Sequence, residues 1–240
     1  MAVNRLVEKL VKFTLDECLP PFLRDNKGFM SVLLKMVFKD KAHHFLEFKD
    51  KVAFMSKEEI QTVYKSIRSV QCSEGTDLSP RLVEKIFTQT TGTSVLDVGC
   101  GKGVLAHHLS RGFLVGACDL YIENESKEKY KKVAFKEADI HNLPYADDGF
   151  DTVVTTHTLE HVTDFYGAVQ ELRRVAKKRL IIVVPKERPY QYSFNLHLHF
   201  FPYEYSIVYA MGQNSTVLKW AIEEIDGCWY YQEDAISGDG

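Results

Sequence analysis

No stretch of this 240-residue chain approaches the roughly 20 consecutive apolar positions that a membrane-spanning helix requires. Its first seventeen residues, MAVNRLVEKLVKFTLDE, lack the unbroken apolar run of a signal peptide, because Arg5, Glu8, Lys9 and Lys12 interrupt it. Neither sign of charge is in excess: 30 Lys and Arg face 33 Asp and Glu, for a net charge of −3. Without a broad positive field to gather phosphates, nucleic acid is disfavoured as the main partner. Cysteine is sparse, and its five copies (Cys18, Cys72, Cys100, Cys118 and Cys228) are odd in number and never spaced as C-x-x-C. That pattern argues against a disulfide framework and against a zinc knuckle, so no metal is expected and a reducing, cytoplasmic setting is. Internal repeats and low-complexity tracts are absent too. What is present, 45% hydrophobic residues, is enough for one substantial core and short of two full-sized domains.

The first ninety residues carry apolar positions spaced by three and four, which predicts helices. Val3, Leu6, Val7, Leu10 and Val11 form one stripe that must end before Pro20 and Pro21. Met30 through Phe38 is a second, largely apolar helix. Ser56 followed by Glu59 has capping-box form and predicts a third helix start, and Ser79 before Pro80 predicts a fourth that runs through RLVEKIFTQ to Gly92.

Beyond Gly92 the texture changes. SVLDV, FLVGAC, VAFKEA, DTVVTT and RLIIVV, between residues 94 and 184, read as five strands, and their near-continuous apolar character belongs to a parallel sheet covered on both faces. VLAHHLS and DFYGAVQELRRVAK read as helices between them, the latter with Phe165, Val169, Leu172 and Val175 on one face. Near the end, TVLKWAIEEI and CWYYQ flank Asp226-Gly227, the dipeptide of a two-residue hairpin. The expected fold is α/β: a doubly wound, mostly parallel seven-stranded sheet ending in an antiparallel hairpin, with an N-terminal helical appendage. The expected domains are a helical cap over residues 1–78 and a ligand-binding domain over 79–240.

The strongest local signal is VLDVGCGKG, residues 95–103, where a buried strand hands over to a helix. Gly99, Gly101 and Gly103 allow a tight turn and close approach of a ligand to the backbone, and the following helix aims free N–H groups at it. A phosphate-cradling Walker loop needs Lys followed by Ser or Thr, and here Lys102 precedes Gly103. A dinucleotide fingerprint needs glycine at 104, which is Val104. A nucleoside cofactor without a pyrophosphate remains, and Asp97 favours it, because a carboxylate there repels phosphate and attracts an ammonium.

The run Asp97-Val98-Gly99-Cys100-Gly101-Lys102-Gly103 resembles the first motif of the class I S-adenosylmethionine-dependent methyltransferases. CDL at 118–120, ADIHNLPYADDGFD at 138–151 and TTHTLEHV at 155–162 agree with it in order and spacing, and resemble the type 11 branch. The resemblance implies S-adenosylmethionine as cofactor, with S-adenosylhomocysteine as product. It implies that Asp97, Gly99, Cys100, Gly101 and Gly103 line the donor, with Cys100 a small space-filler. Asp119, 22 positions after Asp97, would accept from both ribose hydroxyls, and Leu120 would pack on the adenine. Asp139 would meet the adenine amine, the Ile140 N–H a ring nitrogen, and Thr156 and His157 would face the methyl group.

Methyl transfer is an in-line displacement, for which the protein mainly aligns the acceptor and excludes water. A general base is needed only when the acceptor must lose a proton; His157 is the first candidate, with His161 and His197 behind it. Each of these also has a plain packing role open to it. The segment 189–206 carries seven aromatic residues, Tyr190 and Phe201 among them, that fit an aromatic wall or ordinary packing. His197 and His199 alternate as in a strand. Asp147 and Asp148 before Gly149 read as a surface turn, His107 and His108 as structural, and the lysines from Lys127 to Lys132 as a solvated face. The expected activity is methylation of an O or N atom of a small-molecule acceptor. A degenerate cofactor-binding partner subunit is the alternative, and a nicotinamide oxidoreductase is disfavoured by Val104. By analogy the apolar second helix serves as a lid or a homodimer face.

Overall fold

The computed structural model describes residues 14, 18–71, 76–213 and 219–234. The first expected helix, with Val3 to Val11, and Cys72 lie outside the described residues. The chain divides into two compact units, residues 1–74 with 188–198 and residues 75–187 with 199–240. Among the described residues no helix is long and apolar enough to cross a membrane.

The first unit contains helices α1 (Pro21–Arg24), α2 (Lys27–Phe38), α3 (Ala42–Lys51) and α4 (Lys57–Gln71). Pro21 begins α1, where its missing N–H costs nothing, and the Asn26 side chain caps α2 by accepting from the Phe29 N–H at 3.0 Å. The expected capping box at α4 is formed: the Ser56 N–H donates to Glu59 Oε2 at 2.7 Å, and the Glu59 N–H to Ser56 Oγ at 3.3 Å. Met30, Leu34 and Phe38, spaced by four along α2, are buried against Phe45 and Phe48 of α3 and Ile67 of α4. Phe38 and Phe45 stack with ring centroids 4.0 Å apart. Residues 188–198, remote in sequence, complete this core through Tyr192 and Leu196. Tyr190 is gripped there, with the Arg24 guanidinium 3.5 Å above its ring and Lys49 Nζ donating to its carbonyl at 2.6 Å. Val32, Met36 and Val37 of α2 are exposed.

The second unit carries α5 (Pro80–Gln89), β1 (Ser94–Val98), α6 (Val104–Leu109), β2 (Leu114–Asp119), α7 (Asn124–Lys129), β3 (Val133–Glu137), β4 (Phe150–Thr156), α8 (Phe165–Val175), β5 (Ala176–Pro185), α9 (Glu204–Gly212), β6 (Trp220–Ile225) and β7 (Cys228–Asp234). The seven strands form one sheet in the order β3-β2-β1-β4-β5-β7-β6, with β1 to β5 parallel and β7 antiparallel to both neighbours. All seven expected strands are present. Asp226 and Gly227 both adopt positive φ (51° and 82°), the backbone a two-residue hairpin with right-handed strand twist requires.

Alternate strand residues bury on opposite faces, as the pleat demands. Leu96, Val98, Val153 and Ile182 pack with Leu172 of α8 and Ile207 of α9. Val95, Val154, Ile181 and Val183 pack with Leu82 and Ile86 of α5 and Leu105 and Leu109 of α6. Arg173 of α8 binds Glu233 of β7 bidentately, at 2.6 and 2.9 Å.

Three details depart from expectation. Helix α5 stops at Gln89 rather than at Gly92, because Gly92 serves the next turn: its φ is 82°, and a Cβ on it would lie 2.3 Å from the Asp151 side chain. Helices α7 and α9 were not anticipated, one a short charged run and the other carrying aromatic and aliphatic residues on its exposed side as well as its buried one, so neither sequence shows a one-sided stripe. The backbone from 186 to 203 forms no strand, so His197 and His199 do not alternate across a sheet; they belong to different units.

Candidate active site

Strand order reverses direction between β1 and β4, so the connections leaving their carboxyl ends part to opposite faces and leave a crevice. Every connection that leaves this end of β1, β2, β3 and β4 carries residues singled out above.

The β1–α6 loop turns on three glycines with positive φ: 75° at Gly99, 54° at Gly101 and 77° at Gly103. Their surroundings differ. A Cβ at Gly99 would meet Thr158 Oγ1 at 2.0 Å, and one at Gly103 would meet the Phe135 ring at 2.5 Å, whereas one at Gly101 would meet nothing within 4 Å. Gly99 and Gly103 are therefore required by the protein's own packing, and Gly101 opens on space. The Gly99 and Cys100 N–H groups both donate to the Cys118 carbonyl, at 2.8 and 3.0 Å, locking the loop to the end of β2. Cys100 is partly buried beside it.

Two carboxylates flank this loop. Asp119, the last residue of β2, accepts from the Gly101 N–H at 2.8 Å through Oδ2 and from the Tyr121 N–H at 3.4 Å through Oδ1. Asp97 is 1% exposed, and neither of its oxygens has a hydrogen bond of good geometry among the described residues. Burial, and then the charge of Asp119, push the Asp97 carboxyl up to about 7, with the Ala106 N–H only partly offsetting them. A near-neutral buried acid next to an open backbone is suited to receive a cation. Leu120, 38% exposed, adds apolar surface at the rim.

After β3, Asp139 Oδ1 accepts from both the backbone N–H and the ring Nδ1 of His141, at 2.9 and 2.7 Å, and Ile140 is buried beside it. After β4, Thr156 accepts through its carbonyl from the Thr158 hydroxyl at 3.1 Å. His157 has φ of 51° and donates its N–H to the Val183 carbonyl at 2.9 Å, extending the β4–β5 ladder by one residue. Its ring lies between two partners, with Nδ1 3.4 Å from Glu160 Oε1 and Nε2 3.8 Å from Cys228 Sγ. Burial pulls the imidazole down, but Cys228 and the Glu160 carboxylate outweigh it and lift it to about 10. The contacts of His157 with Cys228 and Glu160 thus favour its protonated form.

The remaining histidines are placed elsewhere. His161 sits in the short turn Leu159–His161, its N–H donating to the Thr158 carbonyl at 3.0 Å. His197 belongs to the first unit and is buried. His199 is occupied by the Val162 carbonyl at 2.8 Å, and burial lowers its pKa. The aromatic residues of 189–206 divide in the same way. Tyr192 and Phe194 pack in the first unit's core and Phe201 in the second's, while Tyr203 and Tyr205 stack on each other at the surface. Asp148 does form a surface turn (φ 54°), with Asp147 held by Arg174 at 2.7 Å. His107 stacks on Tyr130 at 4.6 Å. Three participants have no assigned role in the sequence reading: Thr158 and Glu160, both inside TTHTLEHV, and Cys228. Only Glu160, three residues after His157, carried a local signal; the others depend on contacts across the fold.

The family profile described as a methyltransferase domain matches residues 96–184. A 2-phytyl-1,4-naphtoquinone methyltransferase of Nostoc punctiforme is 35% identical over 99 residues, which cover 36% of this chain and 43% of that protein. A norajmaline N-methyltransferase of Rauvolfia serpentina is 31% identical over 101 residues, covering 38% of this chain and 35% of the relative. The chain thus matches less than half the length of these curated relatives. Among solved structures, a SAM-dependent methyltransferase from Aquifex aeolicus superposes with a TM-score of 0.52 at 21% identity, covering 76% of this chain and all of that one. The CurJ carbon methyltransferase superposes with a TM-score of 0.58 at 11% identity, covering 99% of this chain and 72% of that one. These likenesses speak to the fold alone. Profile, motif order and sheet topology together identify residues 96–184 as a domain of the class I S-adenosylmethionine-dependent methyltransferases, type 11 branch.

Proposed function

We propose that this chain transfers a methyl group from S-adenosylmethionine to an O or N atom of a small-molecule acceptor. The observation that carries the reading is the space over Gly101, held between two glycines that the protein's own side chains close off, with the Asp119 carboxylate bound to its N–H. Bare backbone facing an open volume beside an acid is what a nucleoside sugar needs.

When bound, the cofactor supplies a sulfonium-activated methyl group for displacement by a nucleophile. The chain's own residues do the rest. Asp119 accepts from the ribose hydroxyls, and Leu120 covers the adenine. Asp139 accepts from the adenine amine, and the Ile140 N–H donates to the ring. Asp97 receives the ammonium, whose charge favours loss of its carboxyl proton. Thr156 and His157 border the acceptor side at the end of β4. His157 stands there as the candidate base, and its contacts with Cys228 and Glu160, which favour the protonated ring, oppose that role at neutral pH. The curated relatives include a norajmaline N-methyltransferase and a sterol 24-C-methyltransferase, so family likeness leaves the acceptor atom open.

Isothermal titration with S-adenosylhomocysteine tests the reading. The wild type binds, and Asp119→Ala weakens binding at least about tenfold, a loss near 1.4 kcal/mol. No binding by the wild type, or binding that Asp119→Ala leaves unchanged, would refute it. The second reading is a partner subunit that binds the cofactor without turning it over. Tight binding with no methylated product across a broad acceptor panel is the result that would support it.

A further inference from the structure

His141 stands within the segment ADIHNLPYADDGFD without a role assigned above, yet its ring makes two hydrogen bonds, one of them to Asp139. Nδ1 donates to Asp139 Oδ1 at 2.7 Å, and Nε2 faces the Asp164 carbonyl at 3.1 Å. A carbonyl can only accept, so a neutral ring satisfies one of these partners and a doubly protonated ring satisfies both.

The turn has other ties besides these bonds. The turn after β3 is already closed by the Asn142 N–H on the Asp139 carbonyl at 2.9 Å, and the Leu143 N–H is bound by Glu171 Oε1 at 2.7 Å. What the His141 ring adds falls on the Asp139 carboxylate. Two donors from one residue, the ring and the backbone N–H at 2.9 Å, converge on the same oxygen and fix the rotation of that carboxylate. The far side of the ring ties it to Asp164, the residue whose own carboxylate caps α8 through the Gly167 N–H at 2.9 Å.

We infer that His141 is a positioning residue that sets the orientation of Asp139, and through it the preference of the site for an amino-purine over a purine bearing a carbonyl at the same position. The inference rests on the proposed placement of Asp139 against the adenine amine. An ionised carboxylate aimed by His141 accepts from an exocyclic amine; against an exocyclic carbonyl it leaves two acceptors facing each other, and burying such a mismatch is costly. An Asp139 free to rotate can turn away from the mismatch, so the penalty shrinks.

The test titrates S-adenosylhomocysteine and its inosine counterpart, S-inosylhomocysteine, into wild type, His141→Ala and His141→Asn. The wild type prefers the adenine form by at least about tenfold. His141→Ala narrows that preference at least about threefold, chiefly by losing the adenine form, and what remains belongs to the Ile140 N–H, which meets a protonated ring nitrogen in the inosine form. His141→Asn, whose amide can donate to Asp139 from a similar position, recovers part of the preference. An unchanged preference in His141→Ala, or equal weakening of both ligands, overturns the role of His141. Equal wild-type affinity for both ligands overturns it too, while leaving cofactor binding standing. Binding of neither ligand by the wild type overturns the proposed function and this inference with it.

Discussion

Nδ1 of His157 lies 3.4 Å from Oε1 of Glu160, a side chain with no solvent exposure, at the point where β4 ends. The histidine reaches this position on a left-handed backbone (φ 51°), a conformation that costs a non-glycine residue of order 1 kcal/mol or more. The bond from its N–H to Val183 and the contact with Glu160 hold it there. Burial alone would lower the ring's pKa, and the contacts with Cys228 and with the buried Glu160 carboxylate outweigh it and raise it to about 10.

That lift fixes a pH dependence. The folded value exceeds the unfolded 6.5, so the stabilisation is complete below pH 6.5 and fades as pH rises towards 10. His157→Gln is expected to destabilise the protein by about 2 kcal/mol at pH 6 and by clearly less at pH 10. Urea unfolding of both proteins at the two pH values measures this. A constant gap would show that His157 is not held as a cation.

The contact between Gly99 and Thr158 predicts a coupled pair. Gly99→Ala places a methyl group 2.0 Å from Thr158 Oγ1 at φ 75° and is expected to cost about 2–4 kcal/mol. In the double variant with Thr158→Ala, the hydroxyl and methyl are gone but the Cβ remains at 2.9 Å, so about 1 kcal/mol returns. A double-mutant cycle from thermal or urea unfolding reads the coupling, and strict additivity would contradict the geometry.

Gly101 behaves differently. A methyl group there meets nothing within 4 Å, so Gly101→Ala carries only the backbone strain of φ 54°, about 1 kcal/mol. The same methyl group fills the space assigned to the cofactor, and S-adenosylhomocysteine affinity should fall at least about tenfold. A variant that is folded and binds normally would move the ligand elsewhere.

Asp97 predicts proton release. Its folded value near 7 exceeds the ordinary 3.8, so the native state keeps a proton that the unfolded chain gives up, and stability declines as pH rises from about 4 to 7. Asp97→Asn removes this slope, so the ligand-free variant is more stable than wild type at pH 8. An ammonium arriving beside Asp97 expels the proton, roughly half of one per site at pH 7. Titration calorimetry in phosphate and in Tris, whose ionisation enthalpies differ, detects the release, and identical heats in the two buffers would exclude it.

Much of the secondary structure of both units was legible from local pattern. The run SVLDV became β1 without a residue's difference, the Asp-Gly pair became the hairpin turn, and Ser56 and Glu59 cap each other as their spacing implies. Each of these features is encoded within a few residues, by side-chain period, turn chemistry or capping, and the glycine loop and its three downstream segments carried the family likeness in the same way. The partners of those residues were not legible. Cys228 meets His157 across 71 positions, Thr158 closes over Gly99 from another strand's loop, and residues 188–198 join a core built from the chain's beginning. His197 and His199, two positions apart, fall to different units. Sequence determined which elements form and which chemical groups stand at their ends, because those follow from short-range sterics and hydrogen bonding. Tertiary structure alone decided which groups face each other and which carry a proton, because the crossover order of the sheet sets their distances and burial sets the cost of their charges.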